Sequence, residues 1–475
     1  MKSYKILVAG ELLDSENKIE ITNPSTLKPA GVVPNINPSE LVDKAMEAAQ
    51  NAFNTWSVTD FQQRKTLLVK FAELLIEHKE ELADILVAEI AKAKKESVTE
   101  IERTAEYIYE TIGTYENIMS HPLTIGEETH GIKGKVGKFI YEPVGVVLAI
   151  SPFNYPVNLL LSKLAPALIS GNTVVYKPAT QGSLIGARIS ELFAEAGFPA
   201  GVINCVVGNG REVGDLLVTN PYVAMISFTG SAGVGNHIAS LVSKIPLVLE
   251  MGGKDPAIVL ADADLELAAS EIVKGSLSYN GQRCTAIKRV LVVPEVHKQL
   301  VELIAEKAKK LTVGLPEDNT NITPVISSRS ADYIMSLVDD AINNHNAKSL
   351  IPYTRKENLI SPIILDNVSL DAKVAWEEPF GPVLPIIECE NVEACINVAN
   401  ASEYGLQASI FTKDIKLAEA IAYKLDCGSV NINRAPSRGP DIFPFTGRKN
   451  SGFGVQGIVD AILSMVKIKG IVYNN

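Results

Sequence analysis

Between residues 144 and 260, strand-like and helix-like segments alternate without a break. VGVVLAI is followed by a helical pattern over 156–169, NTVVYKP by one over 182–196, VINCVVG by one over 211–219, VAMISFTG by one over 233–242, and then LVLEMGG. Short Val/Ile-rich runs spaced by amphipathic segments long enough for a crossover leave one economical arrangement, a parallel sheet flanked by helices. The alternation resumes after LEMGG with DPAIVL, a helix over 263–278, KRVLVVP, a helix over 296–310, and later PIILD, VLPIIECE and QASIFT. A second α/β unit is therefore expected. With 475 residues, 46% of them hydrophobic, the chain can fill two to four cores.

The flanks differ from these two units. Residues 1–40 carry short strands and turns, and helical spacing runs from 39 through about 62–91 and 97–119. GIKGKVGKFIYEPVGVVLAISP predicts a projecting hairpin leading into a buried strand, and the closing ILSMVKIKGIVYN has edge-strand character. The apolar stretches near 143–150 and 156–169 fall short of the ~20 residues a bilayer crossing needs, so no membrane association is expected. Lys plus Arg total 44 against 55 for Asp plus Glu, a net charge of −11, which gives nucleic acid no general electrostatic surface. Five cysteines without CxxC or Cys/His ligand spacing argue against a disulfide framework or structural zinc, and no metal site is expected. A reducing, cytoplasmic location is the expectation.

Several residues stand where chemistry is possible. SFTGSAGVG ends a strand in a Gly-Ser turn and enters a helix, a place where free N–H groups favour phosphate; neither it nor VVGNGREVG matches GxGxxG or the P-loop, and a plain strand-to-helix connection accounts equally well for the glycines. Cys284 in YNGQRCTAIKR follows Gly281 and adjoins Arg283, a setting that favours a nucleophilic thiolate, although a single free cysteine is ordinarily a buried, inert one. Glu250 ends the strand PLVLE before Met251-Gly252-Gly253, where a buried carboxylate of raised pKa would serve as general base. Asn154 in SPFNYP offers an amide that can stabilise an oxyanion without changing a proton count.

Taken together, SPFNYPVNLLLSKLAPALISGNTVVYKPATQGS, FTGSAGVG, LEMGGKDPAIVL, GQRCTAIKR, WEEPFGPVLPII, SEYGLQASIFT and FPFTGRKNSGFGVQG occur in an order that resembles the aldehyde dehydrogenase superfamily from end to end. Within it, the chain looks most like the non-phosphorylating, NADP-dependent glyceraldehyde-3-phosphate dehydrogenases. The resemblance implies a Rossmann-type cofactor domain (1–121 and 146–249, with 431–454 returning to it), an α/β catalytic domain (250–430) and a small β oligomerisation arm (122–145 and 455–475) that makes a homotetramer. It further implies that Cys284 attacks the aldehyde carbon, that Asn154 and the Cys284 N–H hold the oxyanion, and that Glu250 activates the water that hydrolyses the thioester.

The same resemblance assigns cofactor contacts to Ser151, Lys177, Thr180, Asp215, Gly230, Ser231 and Glu378. Thr180 stands where NAD-preferring relatives often have a glutamate; without that carboxylate a 2′-phosphate is not repelled, so NADP is the expected cofactor. For a phosphorylated aldehyde the implied contacts are Arg103, Tyr155, Arg283, Thr285 and Arg438, arginine being suited to planar, multidentate anion recognition. Helical phase opposes Arg103, because Ile101, Ala105 and Ile108 share a face roughly opposite it, as for a solvated residue. Arg434 departs from the family pattern, which more often has Asn there, and adds a cation near the substrate mouth. The runner-up reading is a dehydrogenase of another small anionic aldehyde such as a semialdehyde. A catalytically retired nucleotide-binding oligomer would instead have lost Cys284, Glu250 or Asn154, and all three are present.

Overall fold

The computed structural model describes residues 2–120 and 123–474, so the expected domain limits at 1, 121, 122 and 475 lie outside the described residues. The first α/β alternation forms a six-stranded sheet ordered Ile203–Cys205, Thr173–Lys177, Val146–Ile150, Val223–Thr229, Leu247–Glu250 and Gly452–Phe453. Its first five strands run parallel and the last is antiparallel. The chain builds outward from Val146–Ile150 on one side, then returns to continue on the other with Val223–Thr229. Between those two strands the winding direction reverses, and the crossovers diverge to leave a crevice at their carboxyl ends, Ile150-Ser151 and Thr229-Gly230.

The strands are Val/Ile-rich because both faces are covered: Val146, Val147, Leu148, Ala149, Val174 and Val175 are all buried. The helix Asn158–Ile169 is buried along its whole length, Lys163 included. The helical region expected as a continuous pattern over 62–91 is two helices, Phe61–Glu77 and Lys79–Ile90, broken at His78 (φ −96°, ψ 12°). The third long helix, Lys94–Met119, begins three residues before the expected 97.

The second alternation forms a seven-stranded sheet ordered Lys348–Ser349, Ile363–Asp366, Val383–Glu388, Ile287–Val292, Asp255–Val259, Gln407–Phe411 and Ser429–Ile432. Every pairing in it is parallel except that of Lys348–Ser349. Two apolar clusters hold the residues of this unit, with alternate strand residues such as Ile258 and Val259 divided between them. The hairpin expected from the basic, Gly-separated segment is present: Lys135–Pro143 pairs antiparallel with Leu123–Ile125 on one side and with Val466–Asn474 on the other.

The segment 455–475 does not belong to the arm throughout. Its first regular helix, Ile458–Ser464, buries Ile458 and Ile462 in the core of the first unit, and the arm strand starts at Val466. Likewise Ser429–Ile432 pairs in the second sheet, and the chain rejoins the first sheet at Gly452–Phe453. Among the described residues no helix is long and apolar enough to cross a membrane, and no cluster of His, Cys, Asp and Glu could hold a metal ion.

Candidate active site

The crevice at the reversal point opens into a cleft of about 830 Å³ whose walls include Ser151, Asn154, Lys177, Thr180, Gly230 and Cys284. Asp215, Ser231 and Glu378 also line it. The cleft therefore runs from the carboxyl edge of the first sheet to the loop that carries Cys284 in the second unit. All the residues singled out for nucleophile, oxyanion and cofactor roles are on its wall, whereas the expected base, Glu250, is not; its neighbours Thr229 and Met251 are.

At one end, Lys177 is buried at the close of its strand, and among the described residues its ammonium donates only to the carbonyl of Pro178 (3.1 Å). Burial, without a neighbouring carboxylate, pulls its pKa down to about 8. The Ser151 hydroxyl is buried and has no hydrogen-bond partner among the described residues. Thr180 Oγ1 donates to the Gly208 carbonyl (3.4 Å), Ser231 caps the helix Ala232–Leu241 by accepting from Val234 N (3.4 Å), and Asp215 faces His237 Nε2 at 2.9 Å. A buried polar group without a partner is costly, so Lys177 and Ser151 suit a ligand that brings hydroxyl or phosphate oxygens. Arg211, exposed on the same wall, was not identified from sequence.

At the other end, Asn154 donates from Nδ2 to the carbonyl of Gln282 (2.8 Å), two residues before Cys284. That bond uses one amide hydrogen and fixes the plane of the group, leaving the second hydrogen for another acceptor. Gly281 takes φ +68°, and a Cβ there would lie 2.3 Å from the Gly381 carbonyl, so the close approach before the nucleophile loop requires glycine.

Cys284 is partly buried, and burial with the nearby Glu250 carboxylate pushes its thiol up to about 11, offset in part by Lys288 and Arg438. This corrects the expectation attached to Arg283. Its guanidinium turns back to the Gly275 carbonyl (2.5 Å), and the cations that bear on the thiol are Lys288 and Arg438. Lys288 donates to the Cys284 carbonyl (2.5 Å) and pairs with Glu378 at 2.9 Å; Glu378 also accepts from Gly253 N (3.1 Å).

Glu250 is buried, yet its carboxyl is held below the usual carboxylate range, opposite to the expected rise. Burial alone would raise it; Arg438, Lys163 and Thr229 outweigh that effect. Arg438 Nη1 donates to Glu250 Oε1 at 2.6 Å, Thr229 Oγ1 donates to Oε2 at 2.7 Å, and Lys163 Nζ donates to Thr229 Oγ1 at 2.7 Å while lying 3.8 Å from Oε2. Lys163, Thr229 and Lys288 were all missed as site residues. The available signal for Lys163 was a single cation in an otherwise apolar helix.

The remaining residues border this end. Arg438 Nη2 also donates to Gln456 Oε1 (2.6 Å). Tyr155 packs edge-on against Tyr279 (5.9 Å), and Thr285 is buried immediately after Cys284. Arg103 is 54% exposed and pairs with Asp441 at 3.3 Å, while Ile101, Ala105 and Ile108 are buried, in keeping with its helical phase. It nevertheless adjoins the loop of Arg438, because its Nη2 lies 3.4 Å from where a Cβ of Gly439 would be. Arg434 is exposed and contacts the Ser437 hydroxyl (3.3 Å).

The chain is similar along its whole length to several known proteins. An NADP-dependent glyceraldehyde-3-phosphate dehydrogenase of Streptococcus equinus is 47% identical, with 100% of this chain and 99% of that one covered. A crystal structure of NADP-dependent glyceraldehyde-3-phosphate dehydrogenase from Bacillus halodurans C-125, complexed with NADP, superposes with a TM-score of 0.97 at 47% identity over 100% of both chains. A 3-sulfolactaldehyde dehydrogenase of Priestia aryabhattai is 36% identical, covering 100% of this chain and 98% of its own. The family model described as Aldehyde dehydrogenase family matches residues 12–471, nearly the whole length, and the chain therefore belongs to that family.

Proposed function

We propose that this chain oxidises glyceraldehyde 3-phosphate to 3-phosphoglycerate with NADP⁺ and water, releasing NADPH and two protons and taking up no inorganic phosphate. The observation that carries the reading is the single cleft lined by Cys284 and Asn154 at one end and by Lys177 and Thr180 at the other, with Arg438 directly behind the reactive end. The strong likeness to relatives named for this activity supports the substrate.

NADP fits the Lys177 end. Lys177, Ser151 and Arg211 supply donors without a competing carboxylate partner among the described residues, and Thr180 places no charge against a 2′-phosphate. Asp215, Gly230 and Ser231 line the same wall, and Glu378, anchored by Lys288, faces the cleft nearer Cys284. When bound, NADP⁺ supplies the two-electron oxidant.

The chain's own groups do the rest. The Cys284 thiol gives up its proton to solvent and its sulfur bonds to the aldehyde carbon as the carbonyl π pair moves onto oxygen; the developing oxyanion accepts hydrogen bonds from the free Asn154 amide N–H and the Cys284 N–H. After oxidation the carbon is a thioester, which Glu250 hydrolyses by taking a proton from water as the carbon–sulfur bond breaks and the sulfur recovers a proton. Glu250 is ionised, as a base must be, but it is engaged by Arg438. Arg438, Arg103, Arg283, Tyr155 and Thr285 form the proposed surroundings of the substrate. A phosphate that draws Arg438 toward itself would also loosen the Glu250 pair.

We extend the proposal to assembly and location. The first unit is the cofactor domain, the second the catalytic domain, and the three-stranded arm joins copies into a homotetramer. Val466–Asn474 supports this, being an edge strand that among the described residues pairs only with Lys135–Pro143 and exposing Ile468, Ile471 and Val472. Sedimentation as a monomer at micromolar concentration would remove the tetramer. Five free cysteines support a reducing, cytoplasmic location. The chemical reading is tested by running the reaction in H₂¹⁸O without inorganic phosphate. Free 3-phosphoglycerate is expected in step with NADPH, with ¹⁸O in one carboxylate oxygen from hydrolysis and in the other to the extent that the aldehyde has exchanged with water; NADPH formation that stops at one per subunit without free acid would overturn the hydrolytic step.

A further inference from the structure

A buried ion pair stands behind the reactive end without touching the cleft. Lys92 and Glu100 are both about 1% exposed in their side chains, and Lys92 Nζ lies 2.6 Å from Glu100 Oε2. The helix Lys79–Ile90 stops just before it because Ala91 takes φ 51°, a left-handed turn that aims Lys92 inward, and Thr323 Oγ1 holds the Ala91 carbonyl at 2.7 Å. A buried ion pair is weak as a source of stability, since its desolvation offsets its attraction. Its other contacts therefore matter more.

Those contacts converge on two segments. Lys92 Nζ donates to the backbone carbonyl of Asn154 (3.2 Å) and lies over the ring of Tyr155, 3.5 Å from its centroid. The same ammonium is 4.8 Å from the centroid of Tyr279, which packs edge-on against Tyr155. Tyr279 and Asn280 take φ 47° and 57° at the start of the turn that leads through Gly281 and Gln282 to Cys284. Glu100 Oε1 meanwhile accepts from Val157 N (2.9 Å) and Asn158 N (3.0 Å), where the Asn154 loop enters its helix. One charge pair thus holds the amide-bearing loop at both ends and presses a cation against an aromatic on each of the two loops that the Asn154–Gln282 bond joins.

We propose that Lys92, oriented by Glu100, is a positioning residue that sets Asn154 relative to Cys284. This rests on the oxyanion role given to Asn154 above. Lys92 touches neither substrate nor cofactor in this role; it fixes the carbonyl and ring on either side of the Asn154–Tyr155 peptide, and so the direction of the free amide hydrogen. A displacement of about 1 Å in such a group is enough to cost ~10²-fold in rate.

The test compares Lys92→Met, Asn154→Ala and the double variant, with kcat and NADP⁺ affinity measured for each and a crystal structure of Lys92→Met. Lys92→Met is expected to lower kcat by about 10- to 100-fold with the NADP⁺ Kd unchanged, and to cost less than about threefold more in the Asn154→Ala background, because residues acting through one another are not additive. Lys92→Arg should recover part of the loss. An equal loss in both backgrounds, or none in either, overturns the proposal. The crystal structure should show the Asn154 Nδ2 to Gln282 O bond lengthened or lost; an unmoved Asn154 overturns the positioning role whether or not the wild type oxidises this aldehyde, whereas an inactive wild type with a displaced Asn154 in the variant strikes only at the reaction. If Lys92→Met does not fold, Glu100→Gln takes its place, keeping the side chain's size while weakening the pair.

Discussion

At the Lys177 end of the cleft, a buried ammonium and a buried hydroxyl have almost nothing to bind, whereas at the Cys284 end Glu250, Arg438, Lys163, Thr229, Lys288 and Glu378 already satisfy one another. Both ends close parallel strands of the same sheet, so the contrast comes from what faces them. The first end faces an open crevice between diverging crossovers, where its donors can meet a ligand's oxygens. The second faces the other α/β unit, whose loops bring cations and carboxylates across to meet those of the first. The open end is suited to holding a ligand that comes and goes, and the paired end to keeping charged groups fixed in a region with little water, where an unpaired charge would be costly.

The largest effect that would break this contrast is at the paired end. Glu250→Gln removes the base but leaves Cys284 and Asn154, so a first turnover should release about one NADPH per subunit and steady-state turnover should then fall by roughly 10³-fold. Stopped-flow absorbance reads both phases; a lost burst with steady turnover unchanged would place Glu250 outside the hydrolytic step.

Next is the nucleophile's proton. With the Cys284 thiol pushed up to about 11, alkylation by iodoacetamide in cofactor-free protein should rise by about tenfold per pH unit, roughly 100-fold from pH 7 to 9, without levelling. Peptide mapping isolates the Cys284 signal, and a plateau by pH 9 would mean that the Lys288 and Arg438 cations outweigh burial.

Arg438→Ala breaks a pair at the closed end and should lower stability by about 3 kcal/mol at neutral pH, because it strands a buried carboxylate. The sign with pH follows from Glu250, whose carboxyl is depressed in the native fold: its favourable term is present above the ordinary carboxylate pKa and is lost as pH falls. Removing Arg438 removes much of that term, so the deficit should shrink on acidification. Thermal unfolding of both proteins from pH 7 to about pH 3, across and below the ordinary Glu pKa of about 4.3, checks this, and a constant deficit over that range would contradict it.

The smallest effect concerns the open end. Thr180→Glu should shift preference from NADP⁺ toward NAD⁺ by about tenfold or more in kcat/KM, since a carboxylate would face the 2′-phosphate. Unchanged discrimination would move the phosphate contact elsewhere on the wall, to Arg211 first.

What could be read in advance divides along the same line. The parallel sheets follow from alternation of local patterns, and the residues at strand ends, Asn154, Lys177 and Gly230, follow from the topology those patterns imply. The pairing at the reactive end depends on tertiary contact. Glu250 and Arg438 are 188 positions apart, and a carboxylate judged without its partner has its pKa shifted in the wrong direction. Arg283 adjoins Cys284 in sequence and still points away from it, because the Gly275 carbonyl is within reach, while Lys288, four positions on, bonds the Cys284 carbonyl. Lys163 looks like an interruption in an apolar helix until Thr229 is placed beside it. The helix Ile458–Ser464 was concealed in a segment with strand character because its apolar residues serve the first core and not the arm.

In the proposed reaction Cys284 uses NADP⁺ to oxidise a phosphorylated aldehyde without phosphate. The most direct measurement is absorbance of the reduced nicotinamide with glyceraldehyde 3-phosphate and NADP⁺ in phosphate-free buffer, for the wild type and for Cys284→Ser, with NAD⁺ as a control. NADPH formation by the wild type, lowered about 10⁴-fold or more by Cys284→Ser, is the predicted result. Turnover of a non-phosphorylated or sulfonated aldehyde in preference to glyceraldehyde 3-phosphate would contradict the substrate, and NADPH formation undiminished in Cys284→Ser would contradict the mechanism.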